Sequence, residues 1–138
     1  MMELIFVIVV IGILAAVALP RLLSGISDAE LAKAKSEIAT VRSGISSAFS
    51  KNIMAGDSDK CPPLEKSTTD GYVFEGVLST PIKENSGDVK WKLDQDTNTY
   101  NTYTLTIDSQ SATFKYEKDP TKDCPFTCVS GTLCSKLQ

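Results

Sequence analysis

The chain has 138 residues, 42% of them hydrophobic, and a net charge of −3, which suits one compact domain plus an apolar segment and shows no basic patch of the kind that meets nucleic acid. It contains no histidine, which removes the commonest general base and the commonest metal ligand. An ordinary Ser-His-Asp triad is therefore excluded, and no Gly-rich phosphate loop follows a strand, so the composition speaks against an enzyme and for no cofactor.

The first element is MMELIFVIVVIGILAAVALP, residues 1–20. From Leu4 to Leu19 every side chain is apolar or Gly, with Glu3 just ahead of the run and Pro20 closing it. A helix without a polar face needs an apolar environment on all sides, in a bilayer or inside an assembly. The run is shorter than the roughly 20 residues of a spanning helix, and Leu22 and Leu23 extend it. A simple signal anchor is the plainest reading, but no Lys or Arg precedes the run, whereas a secretory signal has a basic start. Glu3 is also unexplained by a bilayer, because a carboxylate beside an apolar span is costly and usually functional.

The stretch Glu3-Leu4-Ile5-Phe6-Val7-Ile8-Val9-Val10-Ile11-Gly12-Ile13-Leu14-Ala15-Ala16, followed by Pro20, resembles the N-terminal segment of type IV pilins, above all the major pilins of the type IVa kind, and of the related type II secretion pseudopilins. The resemblance covers about the first fifth of the chain. It implies a leader peptide cut after Gly, an N-methylated Phe at the mature start, and two further residues of the Phe-Thr kind ahead of Met1. It also implies that Glu3 is the assembly residue, neutralising the terminal amine of an adjacent subunit. Gly12 and Pro20 bracket a stretch that melts in the family's filaments. Independently, Pro20 cannot donate to the carbonyl of Ala16, and Gly12 costs about 1 kcal/mol relative to Ala in a helix.

Residues 21 to about 53 read as a helix continuing the first. Leu31, Ala34, Ile38, Val41, Ile45 and Ala48 recur at spacings of three and four, one apolar stripe of an amphipathic helix that is read as core. Gly56 is the expected stop. The whole helix would span some 50 residues, roughly 75 Å. Residues 57–71 form a loop rich in Asp, Ser, Thr and Pro, with Cys61 inside it.

Strands follow. Tyr72 to Leu78 is aromatic and β-branched, with Gly76 a candidate bulge, and Pro81 to Gly87 reads as a connection. Val89, Trp91 and Leu93 alternate with lysines, and Tyr103, Leu105 and Ile107 with threonines. Asp108 to Ser111 reads as a turn, and Ala112 to Tyr116 as the returning strand. Short neighbouring strands joined by tight turns make an antiparallel sheet whose apolar face the helix stripe can cover. The pattern reaches α+β. The resemblance implies a long N-terminal helix packed by its C-terminal half on three to four antiparallel strands, with a disulfide-stapled C-terminal loop.

Within the hairpin, Asp94, Asp96 and Asn98 carry the alternating oxygens of a calcium loop, but Thr99 and Leu105 stand where that pattern asks for Gly and Glu. A solvated turn is the favoured reading and calcium the weak one. The motif points slightly toward the pseudopilins, which often bind calcium.

The tail holds Cys124, Cys128 and Cys134 without a long apolar run, so it needs a staple. Zinc is one reading, from the spacing of Cys124 and Cys128. Disulfides suit an exported domain without histidine better. Four cysteines allow three pairings and the sequence does not choose between them. A turn at Ser130-Gly131 would set Cys128 opposite Cys134 and leave Cys61 for Cys124.

The resemblance implies a stem over residues 1–23, serving as membrane anchor and filament core, and a head over residues 24–138. It also implies a structural protein whose partners are further copies of itself, the inner membrane before assembly, and the pilus assembly machinery. Its place is the bacterial cell surface, in a fibre for adhesion, motility or a related role. A type II secretion pseudopilin and a membrane-anchored periplasmic binding module that never polymerises are the alternatives.

Overall fold

The computed structural model describes residues 1–23 and 26–137, with the side chains of residues 18–23 left aside. Helix α1 runs Met2–Leu23 and helix α2 Asp28–Met54. The expectation of one helix of about 50 residues is corrected. Helix α2 starts afresh, because Ser27 adopts an extended backbone and caps it. The Ser27 hydroxyl accepts from Glu30 N at 3.2 Å while the Glu30 carboxylate accepts from Ser27 N at 3.2 Å, a capping box that satisfies two orphan donors at once. At its other end Gly56 takes φ 89 and the amides of Gly56 and Asp57 return to the carbonyls of Ile53 and Asn52. This left-handed Gly cap closes the helix.

Two antiparallel sheets follow. Strands β1 (Tyr72–Val73) and β2 (Ile82–Lys83) pair with each other. Strands β3 (Val89–Asp96), β4 (Tyr100–Ile107), β5 (Gln110–Glu117) and β6 (Phe126–Ser130) form a meander in that order. A short helix α3, Cys134–Leu137, ends the described chain. The class is α+β with two disulfides.

The sheet faces α2 through every second residue. Val89, Trp91, Tyr103, Leu105, Ile107, Ala112, Phe114 and Tyr116 are buried, as are Ala34, Ile38, Val41 and Ile45 of α2. Leu31 and Ala48 flank that stripe, half-buried. Burying an Ile or Val of this stripe contributes about 1.5–3 kcal/mol. The register sets Trp91 against Leu105 and Leu93 against Tyr103, so one phase of all strands points inward. At the centre Phe74 meets the rings of Trp91, Tyr103 and Phe126 at centroid distances of 5.2, 4.6 and 5.8 Å. The outer edge of β3 is closed by the preceding segment. Asn85 N donates to Trp91 O at 2.9 Å and Leu93 N to Glu84 Oε1 at 2.7 Å, which removes an edge that could template further strands.

Three strand expectations are corrected. Tyr72 to Leu78 is a strand for only two residues, because Phe74 turns into the left-handed region at φ 63 and Gly76 lies flat on the Pro63 carbonyl. The connection over residues 81–87 contains β2. The tail over residues 129–133 is no hairpin. It is the end of β6, a turn at Gly131 and the approach to α3.

Candidate functional site

Three places were marked by the sequence, and the structure leaves them apart. The first is α1. Glu3 lies in its first turn, where the helix dipole favours a negative charge. It makes no ion pair among the described residues, and no Lys or Arg stands among residues 1–20. Each large apolar side chain from Leu4 to Val17 is exposed, Phe6 at 71% and Leu14 at 64%. Among the described residues nothing covers this stretch of the helix. An added Cβ at Gly12 would meet nothing within 4 Å, so no packing inside the chain asks for glycine there. The helix runs unbroken across Gly12 and extends through Pro20; the melting expected in a filament concerns the assembled state. Among the described residues no helix is long and apolar enough to cross a membrane.

The second place is the tail. Cys61 is joined to Cys124 and Cys128 to Cys134, with Cα separations of 5.7 and 5.6 Å, and no cysteine is free. Asp119 caps the short turn Pro120–Lys122, its Oδ1 accepting from the Thr121 amide at 3.0 Å and hydroxyl at 2.6 Å. These bonds hold its carboxyl below the usual range. Asp123 and Cys124 then take successive left-handed conformations, φ 60 and 51, and turn Cys124 inward to 1% exposure. Tyr116 donates to the Pro62 carbonyl at 2.6 Å beside the bridge. Cys61 therefore ties the chain beyond α2 to the start of β6.

The third is the calcium-like turn. The Asp94 carboxylate accepts from the Thr104 hydroxyl, Asp96 pairs with Lys118 Nζ at 3.0 Å, and Asn98 is exposed at the β3–β4 turn. Among the described residues no group of three or more His, Cys, Asp or Glu is arranged to hold a metal.

Two polar contacts with no local signal in the sequence tie α2 to the four-stranded sheet. Trp91 Nε1 donates to Glu37 Oε2 at 2.8 Å, and Arg42 Nε donates to the Phe126 carbonyl at 3.1 Å. Burial pushes the Glu37 carboxyl up, against the opposing pull of the indole bond and of Lys33. A buried carboxyl, Glu65, was missed as well. Its Oε1 accepts from Phe74 N at 3.0 Å and from the Tyr103 hydroxyl at 2.6 Å. Burial pushes it up to about 7 despite these two bonds, and burial likewise raises the hydroxyls of Tyr103 and Tyr116. Glu65 sits in a Ser- and Thr-rich loop and its partner is 38 residues away, so no local pattern announces it.

A groove of about 660 Å³ runs along α2 past Ser36, Thr40, Ser43 and Gly44 to Val77 and Thr80. Its one ionisable lining group is Glu37, which is committed to Trp91. The chain matches no protein-family model, no curated protein and no solved structure.

Proposed function

We propose that the chain is the repeating structural subunit of a filament of the type IV pilus kind, polymerising through α1. The observation that carries this reading is the unbroken exposure of the apolar side chains from Leu4 to Val17, beside a single carboxylate, Glu3. A helix apolar on every side is stable only when other apolar surface surrounds it. Residues 1–23 are the stem, held in the inner membrane before assembly and then packed among the stems of further copies. Residues 24–138 are the head, braced by its two disulfides and carried on the outside of the fibre. Glu3, with no Lys or Arg among residues 1–20, meets the terminal amine of a neighbour and sets the axial register, since a buried carboxylate must be paired or protonated. In the assembled state the stem opens between Gly12 and Pro20, the two residues that weaken the helix.

The testing experiment is a helical reconstruction of fibres sheared from the cell surface. Stems bundled on the axis with heads outside, and helical density interrupted between Gly12 and Pro20, are the expected result. A fibre whose axis is lined by heads refutes the reading. Continuous helical density from Leu4 to Leu23 refutes the melting alone.

A further inference from the structure

A further groove, of about 560 Å³, lies between the C-terminal half of α2 and the chain entering β6. Phe49 and Ile53 line it from the helix, Pro125 and Phe126 from the other side. Ile53 is 49% exposed and the adjoining Met54 88%, so α2 ends on apolar surface that the described residues leave uncovered. Among the described residues lining the groove only Arg42 and Asp123 are charged, and they stand toward opposite ends. Arg42 lies beside Phe126, to whose carbonyl its Nε donates at 3.1 Å. Asp123 lies toward the other end, because the next residue, Cys124, is bridged to Cys61, which follows the C-terminus of α2. From Arg42 to Ile53 the helix advances roughly 16 Å. Both charged side chains are exposed, and neither makes an ion pair among the described residues.

We propose that this groove is a contact between two copies of the chain, paired two-fold so that Arg42 of each copy meets Asp123 of the other. The groove is its own complement. A two-fold axis through its middle exchanges the ends, sets cation on anion at both, and lays the apolar walls of the two copies on each other. A groove shaped for an anionic ligand would need Arg42 alone, and Asp123 would repel that ligand. One shaped for a cationic ligand would meet the converse objection at Arg42. Like charges brought together across an interface are costly, so the pairing of signs selects a partner that carries the same two charges in the same places. The bond from Nε to the Phe126 carbonyl holds the guanidinium at the rim while leaving its two terminal nitrogens for a carboxylate.

The axis sets the two α2 helices antiparallel. Copies within one fibre share a direction, so in the assembled state the contact joins heads of two fibres that run in opposite directions. That step rests on the filament reading; the pairing of heads does not. A patch only a few turns of helix long is small beside the roughly 800 Å² per partner of a standard interface. One contact is therefore weak, and many along two fibres are strong together.

The test uses the full chain in detergent micelles, with fewer copies than micelles, and isotope-labelled and unlabelled Arg42→Lys chains mixed in equal amounts. A carbodiimide joins an amine to a carboxylate with loss of water. It should link the introduced lysine to Asp123, and linked peptides that combine both isotopes should mark the link as one between copies. Links of unmixed isotope only, or no link, overturn the proposal. Arg42→Asp alone and Asp123→Lys alone should each lose the contact, because like charges then face each other at both ends. Mixed together they should regain it, linked through the two introduced residues, since each supplies the charge that the other lost. No link in the mixture of the two folded variants also overturns the proposal. Should Asp123→Lys not fold, the Arg42→Lys result decides. No fibre enters this experiment, so its failure and the failure of the filament reading are distinguishable.

Discussion

The indole nitrogen of Trp91 donates to the Glu37 carboxylate across 2.8 Å, so the middle of α2 is tied to the edge strand of the sheet by one directed bond. The indole itself is fully buried, and a buried donor left without its acceptor costs about 1–3 kcal/mol. Glu37→Ala should destabilise the chain by about that amount in urea titrations in micelles. Glu37→Gln keeps an acceptor oxygen and should recover most of the loss.

The two disulfides should differ in worth. Cys61–Cys124 spans 63 residues and Cys128–Cys134 spans 6. In the chain-entropy account the longer closure stabilises by about 2 kcal/mol more. Replacing Cys61 and Cys124 together by Ser should therefore lower the denaturation midpoint further than replacing Cys128 and Cys134. Intact-mass analysis of the wild type without reductant should find no free thiol.

Close backbone approach should make two glycines irreplaceable. A Cβ on Gly76 would sit 1.9 Å from the Pro63 carbonyl oxygen, and one on Gly131, at φ 109, would sit 2.4 Å from that of Ser111. Gly76→Ala and Gly131→Ala should each cost about 2 kcal/mol or more. Gly12→Ala meets nothing and should stabilise α1 by up to about 1 kcal/mol. Thermal scans of the three variants by circular dichroism check the contrast.

The strongly periodic parts of the chain were legible beforehand. The stripe from Leu31 to Ala48 and the alternation through Trp91, Leu105 and Phe114 are records of which side faces the core. What escaped was set by contacts distant in sequence. Strand β6 reads Phe-Thr-Cys-Val-Ser, too short and mixed to announce itself, and it is placed by pairing with β5. Phe74 looks like a strand residue and is turned out of one by Glu65 and by the approach of Gly76 to Pro63. The break ahead of α2 was readable in principle, since Ser27-Asp28-Ala29-Glu30 is a capping box in plain sequence. It was overridden by the expectation of a single long helix. At the candidate site, Glu3, Gly12 and the exposed apolar run are properties of the sequence itself. The Trp91–Glu37 bond and the Glu65 network needed the fold.

The cap should count in its own right. Ser27→Ala removes the acceptor for the Glu30 amide and should cost about 1 kcal/mol, read as a lower midpoint for α2. Glu30→Ala, which removes the reciprocal bond to Ser27 N, should lower it less.

The central claim is that copies of this chain assemble through α1 with Glu3 as the register-setting group. The most direct test counts surface filaments by electron microscopy in cells making wild type, Glu3→Ala or Glu3→Gln at equal levels. Both variants should keep a folded head and remain membrane-associated, because Glu3 is exposed on α1 and makes no ion pair among the described residues, yet give few or no filaments. Glu3→Gln keeps the shape and removes only the charge, so its failure would assign the effect to the carboxylate. Wild-type numbers of filaments from both variants would contradict the account.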